Sequence, residues 1–407
     1  MMMRLVHLLC LILLISTGSA AAETLKLGPA APAGAHSDVL VWTTYGGESL
    51  DWLAVELEAF ARASSLSIEI QQFTLGELRR QVVLAEDGGR VADVLVGVPH
   101  DDIEELVEAD LLLDAASYAT NDYLMDLPES ASGAFNRDGQ LLGLPLTLDG
   151  PALIVNADLV AELPRTYADF IASAQALDRG ATEGFTFDFG NFYFAYAWFR
   201  GHGADLFQGD PPEPAINSDA AVRAATELQR LRFDLELIEQ GTDYGRAHEL
   251  FASGRLAYTF NGPWAVTRYF ESGIPITIMP VPPVEAGTPF SGFMTVYGVL
   301  ITAGTDSRTD AANVAKWLVR SEAQLRLANQ AGRIPSSIRA VAALENDPIL
   351  YGFGRALRHA EATPTHGSMA DLWQPLGRFL QQLDAGPLTP GQIGELLDQV
   401  VLEVQAE

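Results

Sequence analysis

Short apolar runs alternate with helical stretches at the start of the globular part of the chain. Residues 39–42, VLVW, and 91–98, VADVLVGV, read as buried strands, and 66–73 alternates as a half-buried strand does. Between them, Leu53, Leu57 and Phe60 fall at helical spacing within 50–61, and 75–85 and 103–109 also read as helices. This β-α-β-α-β-α order predicts an α/β sheet covered by helices. Polar loops follow the strand ends at Trp42 and Val98, where open α/β sheets bind their ligands.

The pattern then changes. Two extended apolar segments, 141–148 and 152–155, are split by Asp149-Gly150-Pro151, as a crossover between domains would be. Helices are expected over 156–163, 167–177 and 220–239, and 185–207 is strongly aromatic. Residues 247–270, AHELFASGRLAYTFNGPWAVTRYF, read as helix, glycine turn, strand, tight turn and helix. Pro263 suits the first position of the second helix, because its missing N–H would have no partner there anyway. Trp264 follows just past a strand end. It is either a packing residue or part of a ligand wall. A Pro-rich segment, 274–284, reads as an edge strand. A second extended crossover follows at 292–303, with helices at 311–329, 348–360, around Trp373 and at 391–404.

The leader bears on where the protein works. Arg4 is the only charged residue before Glu23, an apolar run covers 5–15, and 16–22 is small and polar. That is the anatomy of a secretory signal peptide cleaved near Ala22. The Ala-, Gly- and Pro-rich 23–38 reads as a flexible tether. Cys10, the only cysteine, lies inside the apolar run rather than after it, so a lipid anchor is not expected. The mature chain would then hold no disulfide, cysteine nucleophile or thiolate metal site. The 53 acidic residues against 25 basic give a formal charge of −28 over 407 residues, which argues against nucleic acid and for a solvated surface.

Walker, GxGxxG, HExxH and GxSxG patterns do not occur. His100 beside Asp101 and Asp102 could hold a metal, but a solvated loop is the simpler reading, and neither metal nor cofactor is expected. Aromatics stand next to polar groups at expected loop positions: Trp42, Tyr193, Trp264 and Trp373, with Asp149 and Asn191. A ring can cover the apolar face of a pyranose while a carboxylate accepts from its hydroxyls. Core packing of each ring is the competing reading.

Four stretches carry a resemblance: NRDGQLLGLPLTLDGPALIVNADLV (136–160), YFAYAWFRGHGADLF (193–207), DYGRAHELFASGRLAYTFNGPWAV (243–266) and SMADLW (368–373). With them the chain, from 39 to about 404, resembles the maltose/maltodextrin-binding type of extracellular solute-binding protein of ABC sugar importers. The resemblance implies a two-lobed periplasmic-binding-protein fold (type II) of α/β lobes joined by crossover strands, with ligand in the cleft. It implies sugar-stacking roles for Trp264 and Trp373, a third aromatic at Tyr193 and a hydroxyl acceptor at Asp149. Asn191 stands where a family member has a carboxylate. Gly97 stands where that member has a further Trp, and Gly46-Gly47 replaces a polar charged pair. Trp42, Tyr45, Glu48, His100 and Asp101 are candidates for rebuilding that wall.

The expected division is a signal peptide at 1–22, a tether at 23–38, one lobe of 39–147 plus 296–334, and a second of 148–295 plus 335–407. The implied function is capture of a mono- or oligosaccharide, of maltose or α-glucoside type, by hinge closure and delivery to a membrane permease, by a monomer that is not an enzyme and works in the periplasm or outside the cell. A binding protein for a glycerol phosphodiester, a ligand sensor and a secreted carbohydrate-active enzyme are the alternatives.

Overall fold

The structure is a computed structural model that describes residues 24–29, 36–85, 90–209, 211–284, 288, 290–365 and 368–406. The expected signal peptide lies outside them. Within the expected tether, Thr24–Leu27 (β1) is an edge strand, paired antiparallel with Ile68–Gln72. Its alternating Leu25 and Leu27 pack on the core, which a Pro- and Gly-rich reading of the whole segment missed.

The first lobe begins with Val39–Thr43 (β2), Ile68–Gln72 (β3) and Val94–Pro99 (β4), joined by helices Glu48–Ser64 (α1) and Leu75–Ala85 (α2). β2 lies parallel to both β3 and β4. Both faces of β2 and β4 are buried, which is why they read as unbroken apolar runs. Leu144–Asp149 (β5) ends at Gly150-Pro151, and the chain leaves for the second lobe as Ala152–Asn156 (β6). A side chain at Gly150 would strike Leu357 and the Phe293 carbonyl, each 2.8 Å from an added Cβ. Crossing segments pass too closely there for any larger residue.

In the second lobe, Tyr167–Leu177 (α3), Glu183–Thr186 (β7), Phe192–Gly201 (α4), Asp219–Gln229 (α5), Tyr244–Ala252 (α6), Leu256–Asn261 (β8), Val266–Glu271 (α7) and Ile276–Met279 (β9) follow in order. Their sheet has the order β9-β6-β8-β7, so the Pro-rich segment is at an edge as expected. The aromatic stretch 185–199 is mostly core: Phe187 stacks on Trp198 at 4.5 Å, amid Phe185, Phe189, Phe192 and Phe199.

The chain returns as Phe293–Ile301 (β10), flanked antiparallel by β4 and β5. Helices Arg308–Leu318 (α8) and Ser321–Ala331 (α9) lead to Ile334–Pro335 (β11), giving a sheet order of β1-β3-β2-β4-β10-β5-β11. Pro348–Leu357 (α10) packs against β9 and β11, and Glu361–Ala362 (β12) pairs with the start of β10. Ser368–Ala385 (α11) and Pro390–Val404 (α12) close the second lobe.

Three expectations differ. Residues 156–163 form a turn, not a helix: the Asn156 side chain accepts from the Asp158 N–H at 3.0 Å, competing with helical pairing, and Pro164 follows. The helix expected over 220–239 stops being α-helical at Gln229 and finishes in a wide turn, Arg230–Asp234. The 292–303 segment runs along the first-lobe sheet for its whole length, so the chain crosses between lobes just before it, near Gly292.

Candidate functional site

The cleft is built where β2, β4, β5 and β10 end. Asp149 is the last residue of β5, and Thr295 and Tyr297 lie on β10. A recess of about 310 Å³ brings together Gly46, Glu48, Ser49, Asp149 and Arg333 from one side with Pro263 and Trp264 from the other.

Trp264 is held there by its local sequence. Asn261 turns back on itself, its Oδ1 accepting from the Gly262 N–H at 2.8 Å, while its amide donates to the Tyr269 hydroxyl at 3.2 Å. The indole then folds over Gly262, where an added Cβ would come within 2.2 Å of the ring. Only glycine leaves room for that placement. The indole stays 44% exposed, with Phe194 edge-on at 6.4 Å. An exposed Trp held by such a turn is a platform waiting for a partner rather than a core residue.

Asp149 is the chemical centre. Its Oδ1 is buried and has no partner within the protein. Burial pushes the carboxyl up to about 6, against the lowering effects of Arg333 and the Gly150 N–H. An unpaired buried carboxylate oxygen is costly unless something supplies a donor. Arg333 lies with its guanidinium 5.3 Å above the Tyr45 ring and 5.8 Å from that of Tyr297. Tyr193 faces the same space: burial, then the charges of Asp149 and Asp101, hold its phenol far above the usual range, so it is a permanent hydrogen-bond donor. Burial and Asp149 likewise push Tyr297 up to about 12.

Other expected site residues divide. Trp373 is partly buried, edge-on to Phe293 at 5.9 Å, and Phe293 in turn neighbours Tyr193 at 6.1 Å. Asp101 accepts from the Thr295 hydroxyl at 3.5 Å on an exposed edge. Glu48 is exposed in the recess. Tyr45 is buried, its hydroxyl 3.4 Å from Thr147 Oγ1, and presents no open face.

Three residues do other work. Trp42 is buried edge-on to Phe73 at 5.2 Å. Asn191 caps α4, accepting from the Tyr193 N–H at 3.1 Å, and its side chain also bonds Asp188, so the amide is committed on both ends. His100, read from sequence in a solvated loop, is 1% exposed. Its Nδ1 accepts from the Val296 N–H at 3.1 Å, so Nε2 carries the proton and donates to the Thr363 carbonyl at 3.0 Å. Burial lowers its pKa, so the ring stays neutral. His100 therefore ties the first lobe to a crossing segment. Two residues away, Glu361 accepts from the Tyr196 hydroxyl at 2.6 Å and pairs with Arg200 at 3.3 Å, tying that segment to the second lobe.

Sequence reasoning left Arg333 and Tyr297 out of the wall. The Gly332-Arg333-Ile334-Pro335 break was visible, but only the pairing of β11 with β5 brings it beside Asp149.

Two α/β lobes joined by closely packed crossing segments, with a polar recess at the crossing, define a two-lobed ligand-binding protein. The family described as bacterial extracellular solute-binding protein matches residues 57–350, and the chain belongs to it. A solved maltotriose binding protein of Thermus thermophilus, bound with maltotriose, is 34% identical, with a TM-score of 0.69 over 90% of this chain and 99% of that one. The maltotriose-binding protein of Pyrococcus abyssi is 26% identical over 73% of this chain and 66% of its own length. The galactooligosaccharide-binding protein of Bacillus subtilis is 25% identical over 88% of this chain and 86% of its own.

Proposed function

We propose that the protein is the substrate-capturing component of an ABC importer and binds an oligosaccharide of maltose or maltodextrin type. The observation that carries this is Asp149: a buried carboxylate oxygen without a partner, beside Arg333 and the donor phenol of Tyr193, under an exposed Trp264. Sugar hydroxyls supply the donors that oxygen lacks, and an indole covers the C–H face of a ring. The relatives named above bind maltotriose or galactooligosaccharides, which supports a sugar over a glycerol phosphodiester.

In this reading Trp264, Trp373, Tyr193 and Asp149 contact the ligand, with Glu48 and Asp101 at the rim. Arg333 and Tyr297 join them in place of Trp42, His100 and Asn191. The lobes meet at the crossings 149–152 and 290–293, within a few residues of the division drawn from sequence. Ligand contacts made by both lobes favour the closed form, and binding shifts the equilibrium by its differential affinity for that form. The protein acts as a monomer, outside the inner membrane and without a lipid anchor, hands its ligand to a permease and catalyses no reaction.

A thermal-shift panel of maltose, maltotriose, longer maltodextrins, galactooligosaccharides, trehalose, sucrose and glycerol phosphates tests this. A ligand at about 100 times its Kd stabilises by about 2.7 kcal/mol. A shift confined to glucosides supports the reading. A shift with glycerol phosphate alone contradicts it.

A further inference from the structure

We propose that the cleft continues past Trp264 into a second recess, which binds additional sugar units of an oligosaccharide. This rests on the sugar-binding reading above. The second recess has a volume of about 640 Å³ and shares Pro263, Ala331, Gly332 and Ile334 with the first. The two are one continuous space, each within the ~300–1,000 Å³ usual for ligand sites.

One wall is a helical face left without a partner. Pro263, Val266, Thr267 and Phe270 follow the spacing that puts residues on one side of a helix, and all four line the recess. Their neighbour Tyr269 is fully buried on the opposite side, against Phe251 and His248. Phe270 is 53% exposed, and no fold requirement explains an aromatic ring there. The facing wall is the end of α9 and the start of α10, where the exposed amides of Asn329 and Asn346 stand.

The chemistry of the lining selects a neutral polyol. Asp347 is the only ionisable side chain among the residues that line the recess, and its Oδ1 already accepts from the N–H groups of Ile349 and Leu350, both at 3.0 Å. An ionic ligand would find no counter-charge. A pyranose would find an apolar stripe for its C–H face and amides for its hydroxyls. Nothing blocks the approach from the first lobe, because Gly46 in the loop after β2 offers no side chain.

The test is calorimetric titration of maltose, maltotriose, maltotetraose and maltohexaose into the wild type and Phe270→Ala, with thermal melts to check folding. The wild type should bind the longer sugars about tenfold more tightly than maltose, and Phe270→Ala should lose that gain while binding maltose within about twofold of wild type. A flat length series in the wild type would overturn the second recess and leave the first standing. An equal loss for short and long sugars in Phe270→Ala would overturn it too. Failure of every maltodextrin to bind the wild type would remove the functional reading and this inference together.

Discussion

The Tyr45 ring lies so close to the Gly97 backbone that a Cβ at position 97 would sit 2.5 Å from its Cδ1 and Cε1. Gly97 also has φ +78, which side chains rarely adopt. The first-lobe wall is thus filled from behind by Tyr45, pinned to Thr147 and covered by Arg333. It presents a guanidinium to the cleft in place of an open ring.

Gly97→Ala should therefore destabilise the protein by about 1–3 kcal/mol through the clash and the backbone strain. In the double variant with Tyr45→Ala the clash part should be recovered and the strain part retained. Denaturant melts of the two single variants and the double variant check this. Simple additivity of the two single effects would contradict the contact.

Asp149 makes binding pH-dependent. Its carboxyl is raised from 3.8 to about 6, so the ionised acceptor is lost as pH falls through that value. Sugar affinity should drop about tenfold from pH 7.5 to pH 5, where roughly a tenth of the group remains ionised. Stability has the opposite sign: a raised carboxyl contributes most below pH 3.8, and that contribution is lost as pH rises through about 6. Asp149→Asn should bind weakly at every pH, without the slope, yet gain roughly 1–2 kcal/mol of stability at pH 7, after discounting for solvent at a partly open site. Titrations at several pH values and melts at pH 7 read both effects.

His100→Phe should lower stability by about 1–3 kcal/mol for each of the two backbone groups it leaves unpaired, the Val296 N–H and the Thr363 carbonyl. The ranking of sugars that bind should not change, because the imidazole does not face the cleft. A variant that melts like the wild type but loses sugar binding would put His100 back in the ligand wall.

The alternation of buried strands and amphipathic helices was readable because β2 and β4 are buried on both faces and α1 and α2 on one. The Asp149-Gly150-Pro151 break marked a true crossing, since Gly150 has no room for a Cβ. Asn-Gly-Pro-Trp likewise marked an exposed ring, because the glycine and the proline together set its position. The rest was hidden for a spatial reason. His100 and Asn191 carry ligand-like side chains, but their partners are backbone groups, at Val296 and Thr363 for His100 and at Tyr193 for Asn191. Arg333 meets Asp149 only through the pairing of β11 with β5. Local pattern carries neither kind of contact.

The most direct test is a calorimetric titration of maltotriose into the wild type and Trp264→Ala. Trp264 is 44% exposed and makes only an edge contact with Phe194, so the variant should melt within a few degrees of wild type. Loss of the stacking surface should weaken maltotriose binding by at least about tenfold. An unchanged Kd in a folded variant would contradict a sugar platform at Trp264 and the cleft built around it.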